Sequence, residues 1–133
     1  KIKKLQKLKE VRYLGYVSDH DLPFLMAGAR AFIFIPHYEG FGLPAGEAMA
    51  CGLPLISSDG GALPEVVGEA GLIVPGANSH ALAMHIRYLF EHPEEAKSLG
   101  QYARQSIIEH FSWDRVAKQL SAYYRDILVH ANH

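Results

Sequence analysis

The tightest constraint on this chain is Ala31-Phe32-Ile33-Phe34-Ile35, an unbroken apolar run closed by Pro36. A short run rich in aromatic and β-branched residues suits a strand buried on both faces, as in a parallel sheet covered by helices. The neighbouring segments fit that demand. Upstream, Val11-Arg12-Tyr13-Leu14 before Gly15 has strand character, and Ser18-Asp19-His20-Asp21 supplies capping residues ahead of Leu22-Pro23-Phe24-Leu25-Met26-Ala27. Pro23 is tolerated there because the first turn of a helix has no use for its missing N–H. Downstream, Leu43-Pro44 opens a helix through Ala50 that Gly52 closes, Leu55-Ile56-Ser57 follows as a strand, and Gly60-Gly61 turns into a short helix at Pro64–Val67. A last strand, Leu72-Ile73-Val74, ends at Pro75-Gly76. Strands alternating with helices predict an α/β fold with about four parallel strands.

Beyond Asn78 the pattern is helical, over 79–91, then 94–109 after Pro93, then 113–128 after Ser112. In the last segment Val116, Leu120, Tyr123, Tyr124 and Ile127 recur at i, i+4, i+7, i+8, an amphipathic stripe that needs a surface to pack on. The chain's 133 residues suffice for one domain with a real core, and 49% hydrophobic and 20% charged residues are ordinary globular usage. Thirteen basic against 14 acidic side chains give no electrostatic reason to expect nucleic acid as a partner. The five lysines among residues 1–9, interleaved with Ile2, Leu5 and Leu8, predict a solvated helix end, a membrane-surface role being the alternative. Cys51 is the only cysteine, which excludes an internal disulfide and suits a reducing compartment, the cytosol by default. No run approaches the length of a membrane span and the start has no signal-peptide pattern, so any membrane contact is expected to be peripheral, on the cytoplasmic face.

The segment suited to chemistry is Pro36-His37-Tyr38-Glu39-Gly40-Phe41-Gly42-Leu43-Pro44-Ala45-Gly46-Glu47. It joins the most apolar strand to the next helix, at the carboxyl edge of a parallel sheet. That edge is where open α/β sheets bind ligands, and a helix start there offers free N–H groups and positive partial charge to a phosphate. Gly40, Gly42 and Gly46 would let backbone approach a ligand closely. Glu39 falls in the loop and Glu47 about one turn into the helix, so one ligand resting on the helix start could touch both carboxylates. A carboxylate accepts two parallel hydrogen bonds and so matches a sugar or ribose diol. On spacing alone, a surface acid plus a helix-start acid explains the pair equally well.

The string Glu39-Gly40-Phe41-Gly42-Leu43-Pro44-Ala45-Gly46-Glu47-Ala48-Met49-Ala50-Cys51-Gly52-Leu53-Pro54 resembles the E-x7-E signature of retaining family-four (group 1) glycosyltransferases with the GT-B fold. The likeness continues through Val11–Asp19, Gly60–Val67, Phe111-Ser112-Trp113 and the final helix. It implies a Rossmann-like parallel sheet flanked by helices, with C-terminal helices, equivalent to the later part of the family's C-terminal, nucleotide-sugar-binding domain; residues 1–133 would form that single partial domain, with the N-terminal acceptor domain absent. It further implies transfer of a hexose from a nucleoside diphosphate sugar to an acceptor hydroxyl with retained anomeric configuration. By the same match Glu39 would contact the donor sugar, the backbone around Gly40 and the N–H groups of Phe41, Gly42 and Leu43 would hold sugar hydroxyls and diphosphate, and Glu47 would bind the ribose. Val17 and Asp19 would border the base. Asp19 could accept bonds from guanine, with helix capping as the equal alternative.

No cofactor or metal is implied; the donor, GDP-mannose or a UDP-hexose, is a substrate, and the acceptor would be a glycan or lipid-linked sugar of the cell envelope. The family's Arg and Lys that neutralise the diphosphate fall upstream of Lys1, so the fragment alone is expected to be inactive. Two other readings stay open, a non-catalytic nucleotide-sugar-binding module and a GT-B epimerase or phosphorylase relative. His37 is either catalytic or a hydrogen-bonded loop residue, and Glu65 either a ligand contact or the complement of its helix start. Cys51, at a helix C-terminus, reads as core packing. The remaining histidines lack metal-ligand spacing.

Overall fold

The computed structural model describes residues 8–130. Three parallel strands, β1 (Phe32–Phe34), β2 (Leu55–Ser58) and β3 (Leu72–Val74), lie side by side in that order. Phe32 pairs with Leu55, and Ile56 with Leu72, in the two ladders. The helices are α1 (Leu22–Ala27), α2 (Leu43–Ala50), α3 (Leu63–Val67), α4 (Ser79–Glu91), α5 (Pro93–Phe111) and α6 (Trp113–His130). Each strand-to-strand connection carries a helix, as parallel pairing requires. This is the expected α/β sheet with C-terminal helices.

All four residues of β2 are buried, and its alternating side chains serve two cores. Leu55 packs with Ala45 and Met49 of α2, Leu63 and Val67 of α3, and Ala103 and Ile107 of α5. Ile56 packs on the opposite face with Val74, Leu89 of α4 and Ala96 of α5. A third cluster joins Met26 of α1 to Ala48 and Leu53, fixing α1 against α2. Helix α5 meets the turn after α2 at backbone distance: a Cβ on Gly100 would run into Gly52, and the Arg104 guanidinium donates to the Ala50 carbonyl.

Three expectations change. The count of strands among the described residues is three, because 11–14 form none; Val11, Tyr13 and Leu14 are exposed, and β1 pairs only with β2. A strand-like pattern with no ladder beside it stays irregular. Asp21, at the cap position of α1, makes no side-chain cap bond; Ser18 acts one turn earlier, its Oγ accepting from the Asp21 amide at 3.2 Å and donating to the Asp21 carboxylate at 2.8 Å, in a turn whose backbone leads into the helix. The lysine-rich start lies outside the described residues up to position 7, and residues 8–10 form a turn. No residue of α6 is buried, so the stripe of Val116, Leu120, Tyr123, Tyr124 and Ile127 stays exposed.

Candidate functional site

Because the strands are parallel, the loops following β1, β2 and β3 share one edge, and hydrogen bonds stitch them together. Ser58 Oγ donates to the Pro36 carbonyl at 2.6 Å, the Ala62 amide to the Glu39 carbonyl at 3.0 Å, and the Gly76 amide to Asp59 Oδ1 at 3.0 Å. Helix α2 starts from this edge. Its cap residue, Gly42, is left-handed at φ 90°, ψ 51°, a conformation that favours glycine, and no side chain caps the helix. The first helical bond is Gly46 N–H to the Gly42 carbonyl, 3.0 Å, and Pro44 has no N–H, so the amides of Gly42, Leu43 and Ala45 precede it. Leu43 is exposed and Gly42 buried at this start.

Glu39 is half-buried beside this helix start. Its Oε1 accepts from the Gly40 amide at 3.2 Å, and its Cγ is 3.5 Å from where a Gly42 Cβ would stand. Glu47 is the fifth residue of α2, one turn in and exposed. Its side chain forms part of two open grooves. One, about 300 Å³, has Asp19, Leu22, Pro23 and Met26 opposite Glu47 and Cys51; the other, about 270 Å³, runs from Phe41 and Leu43 past Glu47 to Phe111 and Trp113. The structure therefore brings Asp19 and Glu47 together across one groove. Glu39 and Val17 line neither groove.

The remaining residues divide by environment. The N-cap position of α1 is Asp21, which makes no cap hydrogen bond with its side chain, so Asp19 is left exposed on the groove wall. Phe41 sets its ring edge against Phe111, centroids 5.4 Å apart. Gly46 is buried facing Ile107 of α5, whereas Gly40 has open space around it. Close approach to a ligand is thus not what shapes Gly46. His37 and Glu65 are exposed, the latter in the first turn of α3. Cys51 is half-buried against the cluster of Met26, Ala48 and Leu53 and also edges the Asp19–Glu47 groove. No group of three or more His, Cys, Asp or Glu gathers among the described residues, and none of their helices is long and apolar enough to cross a membrane.

Sequence reasoning missed two features. It read Gly60-Gly61 only as a turn, yet a Cβ on Gly60 would sit 2.7 Å from the His37 carbonyl oxygen, and one on Gly61 would meet the backbone of Glu39. The double glycine was the available signal. It also missed the groove formed where Phe111 and Trp113 meet α2, for which no local pattern existed.

The sequence profile described as Glycosyl transferases group 1 matches residues 1–106. The O-antigen chain mannosyltransferase B of Escherichia coli is 41% identical over 114 residues, covering 85% of this chain and 30% of that protein. Sucrose-phosphate synthase from Thermosynechococcus elongatus superposes with a TM-score of 0.83 at 32% identity, over 96% of this chain and 34% of that one. Anabaena HepE, solved in complex with UDP, superposes with a TM-score of 0.81 at 25% identity, over 94% of this chain and 35% of that one. The chain spans about a third of the length of these relatives, and it belongs to the group 1 glycosyl transferases.

Proposed function

We propose that this chain is the donor-holding part of a retaining glycosyltransferase that moves a hexose from a nucleoside diphosphate sugar to an acceptor hydroxyl. The observation that carries the reading is the start of α2, which no side chain caps, with Glu39 in the loop before it, Glu47 one turn on, and Asp19 across a groove from Glu47. Uncapped N–H groups and the helix dipole favour a diphosphate. Glu47 then accepts from the ribose diol, Asp19 and Val17 border the base, and Glu39 accepts from the sugar hydroxyls. The backbone around Gly40, Phe41, Gly42 and Leu43 lies along the diphosphate and sugar.

In this arrangement the chain contributes orientation and charge stabilisation. When the bond between the anomeric carbon and the diphosphate breaks, negative charge grows on the phosphate oxygens, and preorganised N–H donors stabilise it more than they stabilise the bound donor. The acceptor is held by a separate domain, and retention of configuration follows the family resemblance. That a mannosyltransferase and a UDP-bound structure are among the similar proteins supports a nucleotide-linked hexose, with GDP-mannose and UDP-hexoses the donors to test. The reading invokes no cofactor.

The test is calorimetric titration of the chain with GDP, UDP and ADP and their sugar conjugates, with Glu47→Ala as control. Saturable binding of one nucleotide, weakened at least tenfold in Glu47→Ala, is the expected result. Binding that Glu47→Ala leaves unchanged, or no binding even by the protein joined to an acceptor domain, overturns the reading.

A further inference from the structure

We propose that Ser58 and the Gly60-Gly61 turn are positioning residues that set the place of the Glu39 carboxylate; the inference rests on the donor-site reading above. Glu39 hangs on the loop after β1, and the only side-chain hydrogen bond described for it is the one from its own neighbour, Gly40. Its placement comes from the next loop instead. Ser58, 2% exposed, spends its hydroxyl proton on the Pro36 carbonyl at 2.6 Å and accepts from the Gly60 amide at 3.4 Å. Gly60 then lies flat on residues 36 and 37, where a Cβ would be 3.0 Å from the Pro36 carbonyl oxygen and 2.7 Å from that of His37. Gly61, left-handed at φ 65°, lies on Glu39 itself, where a Cβ would be 2.9 Å from its amide nitrogen. The Ala62 amide completes the grip on the Glu39 carbonyl at 3.0 Å.

Residues 58–62 thus hold the backbone of 36, 37 and 39 at successive points. A buried hydroxyl needs a partner where an alanine would need none. Spending that hydroxyl on the loop bearing Glu39 fixes the loop's height over the helix start, where an error of about 1 Å costs a positioned group much of its effect. The role differs from general stability in what it moves: Glu39 meets the sugar of the donor, not the nucleotide.

The experiment compares Ser58→Ala, Ser58→Thr, Glu39→Ala and the unsubstituted chain in titrations with a nucleoside diphosphate and with its hexose conjugate. Ser58→Ala is expected to lower affinity for the conjugate about tenfold, as Glu39→Ala does, while affinity for the free nucleoside diphosphate stays within about twofold; Ser58→Thr, which keeps the hydroxyl, restores the conjugate. Equal loss for both ligands, or loss for neither, overturns the proposal. Amide exchange without ligand separates it from the donor reading: in Ser58→Ala the Ala62 amide should exchange at least tenfold faster, and an unchanged rate refutes the clamp whether or not the chain binds nucleotides. If Ser58→Ala fails to fold, Ser58→Cys, of similar size and a weaker donor, is measured in its place.

Discussion

Replacing Gly42 by alanine loads two separable costs onto the start of α2. The residue sits at φ 90°, where an L side chain costs about 1–2 kcal/mol. Its new Cβ would also stand 2.5 Å from Cδ2 of Leu63, which is fully buried, and overpacking of that kind costs about 1–3 kcal/mol. Together they predict a loss of about 2–5 kcal/mol, a large part of the ~5–15 kcal/mol that holds a domain together. At a urea slope of about 2 kcal/mol/M the midpoint should fall by about 1–2.5 M. A double-mutant cycle with Leu63→Val separates the terms, since valine lacks the δ carbons. Leu63→Val alone should cost about 1 kcal/mol for the lost methylene. In its background Gly42→Ala should retain only the backbone cost, leaving a coupling of about 1–3 kcal/mol. A midpoint shift under about 0.3 M for Gly42→Ala refutes the account of the helix start. Equal costs in both backgrounds would refute the clash with Leu63 and leave the backbone term alone.

Two further outcomes follow from local chemistry. Asn78 caps α4 by accepting from the His80 amide at 3.0 Å and the Ala81 amide at 3.1 Å, so Asn78→Ala should cost about 1 kcal/mol and lower Tm by about 4 °C in a calorimetric scan, and no shift would remove the cap. The exposed Asp21 carboxyl is held below its ordinary 3.8 by hydrogen bonds from His20 and then Ser18. A depressed folded value means that its stabilising contribution is present above 3.8 and fades as pH falls through the folded value, so an NMR titration should find Asp21 titrating below 3.8 and His20→Ala raising it, whereas an ordinary value in the parent chain would refute the bond.

The alternation of strands and helices was legible because Gly and Pro punctuate it and because each period is local. Leu43-Pro44 placed the start of α2, with proline in the first turn, and the range 79–91 predicted for the next helix matches α4. The segment at 11–14 misled because its pattern is that of a strand, and pairing depends on a neighbour that local sequence does not reveal. The candidate site was half legible. Spacing alone put Glu39 before α2 and Glu47 one turn within it. Three glycines of that stretch looked equivalent, yet Gly42 answers to a left-handed cap, Gly46 to packing under Ile107, and Gly40 to neither. The grip of residues 58–62 on 36–39, and the meeting of Asp19 with Glu47, join positions about 20–30 apart, beyond the reach of any local period.

The bonds that link the three loops of the carboxyl edge also decide how that edge comes apart. Releasing the Glu39 loop breaks the bonds from Ser58 and Ala62, and releasing the middle loop also breaks that from Gly76 to Asp59. The middle loop takes part in all three bonds, so its opening uncovers partners on both neighbours at once, whereas either outer loop can open by itself. In hydrogen exchange the Gly76 amide should therefore exchange at least as fast as that of Ala62 whenever the middle loop's release is the event that frees them.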